Sequence, residues 1–150
     1  MNQPLYTTEI LRLAASLGET RSLEREDGSA ERRSPTCGSR VQTAVEVDED
    51  GRVRAVSQQV HACAFGQASA ALLEQGATGL DPSEVEAAIV SIEAWLAGSD
   101  DQPRWPNIAA LAPARCRQSR HAAILLPFRS LAAALADAAE RRCEGGPPAP

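Results

Sequence analysis

An α+β domain, with a small antiparallel sheet of about three strands and helices packed on one of its faces, is the fold this chain predicts. Three observations carry it. A helix-periodic segment opens the chain, two alternating segments joined by a tight turn follow, and the rest is helix-periodic again. The 150 residues suit one domain, spanning 1–143 and followed by a Gly/Pro-rich tail at 144–150 that is expected to be disordered. A chain of this length buries enough surface to fold without a metal or disulfide.

The elements follow in order. Thr7 to Leu17 predicts a helix: Ile10, Leu11, Leu13, Ala14 and Leu17 share one side and Gly18 stops it. Residues 21–36 are polar and charged, with Asp27-Gly28 as a turn signal, and hold at most a weak edge strand and a loop. From Arg40 the period becomes two, with Val41, Thr43, Val45 and Val47 on one face. Asp48-Glu49-Asp50-Gly51 turns the chain, and alternation resumes from Arg52 to Val60, giving a hairpin with one polar face. Ala64 to Gln75 has no proline or β-branched residue and Gly76 ends it, which predicts a second helix. Asp81-Pro82-Ser83-Glu84 is a capping-box start for a third, whose stripe is Val85, Ala88, Ile89, Ile92, Trp95 and Leu96. Residues 99–113 read as a polar, proline-punctuated linker carrying Trp105. The last helix falls between His121 and Arg142. Either it begins near Pro127, or Pro127 kinks a helix that began earlier.

Composition excludes several activities. The net charge of −5 argues against nucleic acid as the main partner. All 15 cationic side chains are arginine, so no lysine can form a Schiff base or serve a Walker-type phosphate site. No dinucleotide, P-loop, zincin or nucleophile-elbow motif occurs, and two histidines leave little general-base chemistry. No apolar run approaches the ~18 residues that span a bilayer. Met1 to Ile10 lacks a secretory pattern, so the expected setting is cytoplasmic, with no membrane partner and with reduced thiols.

Cysteine placement is the informative feature. Cys37 ends a loop immediately before the first clear strand. Cys63 sits where the hairpin gives way to a helix, a position at which the helix dipole and free N–H groups favour thiolate. Cys116 lies in an Arg-rich segment before the last helix, and Cys143 lies near the tail. Thiolates at element ends suit zinc or iron–sulfur centres. His61, two residues before Cys63, and His121 at the start of the last helix are further candidate donors. Arg115, Arg117 and Arg120 form a cluster suited to an anion or an acidic partner surface.

Two segments carry a family resemblance. Ser34-Pro35-Thr36-Cys37-Gly38-Ser39-Arg40-Val41 resembles the first cysteine segment of the U-type iron–sulfur scaffold family (IscU, SufU and the NifU N-terminal domain), whose pattern is roughly N-P-x-C-G-D before a strand. Cys63-Ala64-Phe65-Gly66-Gln67-Ala68-Ser69 is similar to its second, a cysteine opening a helix with A-S after four intervening residues. The likeness covers roughly residues 5–140 and implies an IscU/SufU-like fold.

It implies a scaffold, not an enzyme. Cys37 and Cys63 would take up sulfur from a cysteine desulfurase and hold a transient iron–sulfur cluster, of the 2Fe–2S type, for recipient iron–sulfur proteins. Two departures matter. Ser39 stands where the family has Asp, which makes an oxygen ligand there doubtful. The third cysteine has two anchorings. Set on Leu111-Ala112-Pro113-Ala114-Arg115, Cys116 falls a residue or two early. Set on Arg120-His121-Ala122-Ala123, the position is Ala122 or Ala123, and Cys116 lies upstream. Cys116 or His121 would complete the metal set. Two alternatives stay open: a zinc-binding sulfur-transfer partner of a desulfurase, needing a Cys/Cys/Cys or Cys/Cys/His set, and a degenerate member acting as a metal-free interaction module. Cys143 has no counterpart in the resemblance.

Overall fold

The computed structural model describes residues 6–18, 20–35 and 38–145. The elements run α1 (Thr8–Ser16), β1 (Gly28–Arg33), β2 (Arg40–Val47), β3 (Val53–His61), α2 (Ala64–Gly76), α3 (Pro82–Leu96) and α4 (His121–Gly145), with short 3-10 turns at Ile108–Ala114 and Gln118–Arg120. The sheet is antiparallel in the order β1-β2-β3, as the hairpin pattern predicts.

On β2 the alternation puts Val41, Thr43 and Val45 under the helices. The hairpin turn is closed by Asp48, whose Oδ1 accepts the N–H groups of Asp50 and Arg52 at 2.9 and 3.0 Å. Gly51 supplies the positive φ of 80° that the turn requires. The capping box forms at α3: Asp81 accepts from Glu84 N–H at 2.8 Å, and Glu84 accepts from Asp81 N–H at 3.3 Å.

α4 lies across β1 and β2, α2 lies beside α4 and β3, and α1 and α3 pack on these two. The core runs through Ile10, Val45, Phe65, Leu72, Ile92, Ile124, Phe128 and Leu131. An 18-residue window of the helical stretch Gln118–Glu144 has the hydropathy of a membrane span, but 61% of that window is buried inside the protein, so it is a core helix.

The structure corrects several sequence expectations. Asp27-Gly28 is no turn. Gly28 opens β1, because a Cβ there would stand 2.3 Å from the carbonyl of Ala134 on α4. Asp27 accepts Val47 N–H at 2.8 Å. Burial opposes ionisation of Asp27, but hydrogen bonds from Arg25 and Val47, with the charges of Arg25 and Arg142, outweigh it and hold its carboxyl below the usual range.

The polar face of the hairpin is also partly covered. Ser57 is buried, and its hydroxyl donates to the carbonyl of Arg21. The 99–113 linker is polar and largely exposed as expected, but it sends side chains into the core: Trp105 Nε1 donates to Leu72 O at 2.8 Å, its ring meets Phe128 edge-on, and Ile108 and Leu111 are buried. Pro127 lies inside α4, which starts at His121. Glu144 and Gly145 continue that helix, while residues 146–150 lie outside the described residues.

Candidate functional site

β2 enters the sheet and β3 leaves it at the same end, because Arg40 is the register partner of His61. Ser39 precedes that pair on one side, and Ala62 and Cys63 follow it on the other. At ~3.3 Å per extended residue, the loop before β2 and the elbow after β3 share one tip.

The loop is closed by its own backbone. Ser34 N–H donates to Ser39 O at 2.8 Å, and Gly38 N–H to Ser34 O at 3.2 Å, with Gly38 at φ 70°. Cys37 lies outside the described residues, between these anchors in sequence. Ser39, at the position where the resemblance places Asp, is buried at 4% exposure.

Cys63 is the N-cap of α2, in extended geometry and half-buried, with its side chain making no capping bond. Its carbonyl accepts Gln67 N–H at 2.9 Å, and Gln67 Nε2 donates back to Ala62 O at 3.1 Å. The elbow is therefore held by backbone and amide bonds, which leaves the thiol out of the cap. Gly66 brings this first turn close to its neighbours: a Cβ would meet the Ala62 Cβ at 2.6 Å and Ala123 O at 3.4 Å. The residue at the head of α4 that faces the Cys63 turn is thus Ala123, which is 1% exposed. α4 begins at His121, the helix start on which the Arg120-His121-Ala122-Ala123 anchoring is set.

Cys116 is exposed between the two 3-10 turns, with its thiol 3.6 Å from Pro113 O. With His121, it opens on a cleft of about 440 Å³ walled by Glu93 and Leu96 of α3 and by Ala97 just beyond it. His121 Nε2 lies 3.0 Å from the carbonyls of both Ala114 and Arg115. Only an N–H serves two carbonyl acceptors, so Nε2 carries hydrogen, and Nδ1 is the only nitrogen that the neutral ring has left to bind a metal. His61 instead lines a second cleft, with Arg33, Ser34, Pro35, Gly38, Ser39 and Arg40. The structure thus pairs Cys116 with His121, and His61 with Ser34, Pro35, Gly38 and Ser39, in two different clefts. Among the described residues, no three of His, Cys, Asp and Glu stand close enough to hold a metal ion. Cys143 is exposed on the last turn of α4, beside Val47, Gly51 and Pro82.

The arginine cluster is divided. Arg115 donates from Nε to Trp95 O and from Nη2 to Ser99 O at 2.8 Å each and stacks over the Trp95 ring, so these donors cap the end of α3. Arg33 and Arg40 do not stand out by spacing, and only the strand register reveals them as wall residues of the tip.

The sequence matches the family described as NifU-like N terminal domain over residues 5–112. Among solved structures, the chain is similar to a nitrogen-fixing NifU-like protein (N-terminal) from Brucella abortus, at 28% identity and TM-score 0.81, over 91% of this chain and 96% of that one. It also shares its fold with a candidate iron–sulfur cluster assembly scaffold protein for the SUF system from Fervidobacterium islandicum AW-1. There the identity is 20% and the TM-score 0.77, over 87% of this chain and 96% of that one. No curated protein matches the chain in sequence.

Proposed function

The chain belongs to the NifU-like N-terminal domain family, and we propose that it is an iron–sulfur cluster assembly scaffold working through a two-thiol site, Cys37 and Cys63. The observation that supports this most is the Arg40–His61 pairing, which brings Gly38 and Ser39 before β2 and the Cys63 elbow after β3 to one sheet end.

The cluster is cargo on this reading. Thiolates are soft ligands that suit iron–sulfur species. A four-thiolate shell holds a cluster firmly, whereas two protein thiols leave iron positions open to outside ligands, and exchange at those positions lets the cluster leave. Ala123 in place of a third thiol and Ser39 in place of a carboxylate both favour such an open shell. Sulfur comes from a cysteine desulfurase and the product goes to recipient iron–sulfur proteins.

The zinc alternative asks for more donors. Tetrahedral zinc takes four ligands at about 2.0–2.3 Å, and Cys116 and His121 open on the α3 cleft instead.

The test is anaerobic reconstitution with iron and sulfide, read by visible absorption, acid-labile sulfide and metal content. Sulfide-linked absorption is expected in the native chain and in Cys116→Ala, and is expected to vanish in Cys37→Ala and Cys63→Ala. Absorption that survives in Cys63→Ala overturns the two-thiol site. One zinc that resists dialysis, without sulfide, replaces the reading with the sulfur-transfer one, and neither metal nor sulfide replaces it with the interaction module.

A further inference from the structure

One row of side chains on the sheet is not balanced by its neighbours. Arg33 is the register partner of Arg40, and Arg40 of His61, so the three stand side by side across β1, β2 and β3. Directly paired residues place their side chains on the same face. Val41, next along β2, is fully buried under the helices, so the row faces outward, and all three residues are exposed.

Like charges placed directly opposite one another destabilise a sheet. Here two guanidiniums are adjacent, with an imidazole beyond them, in a chain whose net charge is −5. The next row on that face is Glu31, Gln42 and Gln59, with one carboxylate, which lies 3.4 Å from Arg33. Among the described residues, Arg40 and His61 make no ion pair. The row forms one wall of a cleft of about 570 Å³ whose other wall is Ser34, Pro35, Gly38 and Ser39.

Neighbouring strands are about 4.8 Å apart, so the row spans roughly 10 Å. A single compact anion meets one or two of its members. An extended segment carrying successive carboxylates meets all three, and guanidinium forks pair with carboxylates in bidentate geometry. We propose that this row is a docking site for an acidic peptide segment of a partner protein, held beside the Cys63 elbow. The inference goes beyond cluster assembly and needs no metal at the thiols.

The experiment is an NMR titration of the full chain, without iron or sulfide, using acetyl-pentaglutamate amide as probe and glutarate and inorganic phosphate as comparisons. Saturable shifts are expected at Arg33, Arg40 and His61. Arg40→Gln is expected to weaken the peptide about threefold, in the range of a single exposed ion pair. Arg33→Gln/Arg40→Gln is expected to weaken it about tenfold, and Arg12→Gln on α1 to leave it unchanged. Affinity is expected to fall as salt shortens the ~8 Å screening length. Because the row is self-repelling, the double variant is expected to melt no lower than the native chain, which separates lost binding from lost folding. Absence of peptide binding, equal binding by the double variant, or glutarate or phosphate binding as tight as the peptide overturns the proposal.

Discussion

Replacing Gly66 by alanine tests the geometry that holds Cys63. The added Cβ would stand 2.6 Å from the Ala62 Cβ, 3.4 Å from Ala123 O and 3.7 Å from the Ala123 Cβ. The alanine neighbours have no rotamer with which to retreat, so the elbow or the head of α4 must move by several tenths of an ångström. Overpacking of this kind costs about 1–3 kcal/mol. Replacing glycine in a helix returns up to about 1 kcal/mol of propensity. The net expectation is a loss of about 1–2 kcal/mol, or about 2–8 °C in melting temperature for a chain of this length.

The double-mutant cycle with Ala62→Gly isolates the cause. Ala62→Gly alone costs about 0.5–1 kcal/mol through the unfolded state. In the pair, the clashing methyl is gone, so Ala62→Gly/Gly66→Ala is expected to be at least as stable as Gly66→Ala alone. The coupling should exceed about 1 kcal/mol. Urea unfolding of the four proteins measures it. A neutral Gly66→Ala, or additive effects, would refute the close approach of α2 to the elbow and the head of α4.

Three other outcomes are expected. Gly28→Ala should cost more than Gly66→Ala, about 3 kcal/mol or above, because its Cβ would strike backbone atoms of Ala134 and Ala138 at 2.3–2.8 Å; urea unfolding reads this directly, and a loss smaller than that of Gly66→Ala contradicts it. Trp105→Phe removes the hydrogen bond that Nε1 now donates to Leu72 O at 2.8 Å, a loss of about 0.5–1.5 kcal/mol, checked by the same assay. Burial raises the Glu74 carboxyl above its usual range, against a smaller opposing hydrogen bond from Gln58 and the charge of Arg21. Its contribution is therefore full below the unfolded-state value and lost as pH rises through the folded one. Melting curves should show Glu74→Gln gaining on the native chain from pH 4 to pH 7, and a gain that shrinks over that interval contradicts the assignment.

What could be read in advance was local. The capping box at Asp81 and the turn at Asp48 form from residues within four positions of each other, and both are present as predicted. β1 left a faint trace because Ser29, Glu31, Arg32 and Arg33 are polar and its partner surface is α4, about a hundred residues away. Trp105 was hidden for the same reason: its acceptor on Leu72 lies 33 positions back. At the candidate site, spacing marked Cys63 and Cys116 alike. Direction separates them, since Cys116 shares the α3 cleft with His121 while Ala123 faces the Cys63 turn. The Arg33–Arg40–His61 row depends on register, and no periodicity exposes it.

The position of α4 sets an order of events during synthesis. Strands β1 to β3 can pair as soon as each hairpin is made, but the face carrying Val41 and Val45 stays bare until α4 arrives. The bonds from Ser130 to Ala30 and Val41, and from Ser29 to Asp137, tie that last helix to early strands. Ala123, which closes on the Gly66 turn, belongs to the same late segment. A nascent chain therefore exposes the Cys63 elbow before the fold around it exists, and the finished tip appears only when the final helix docks. On the scaffold reading, sulfur or iron delivered to a settled Cys63 geometry would come after α4 has docked.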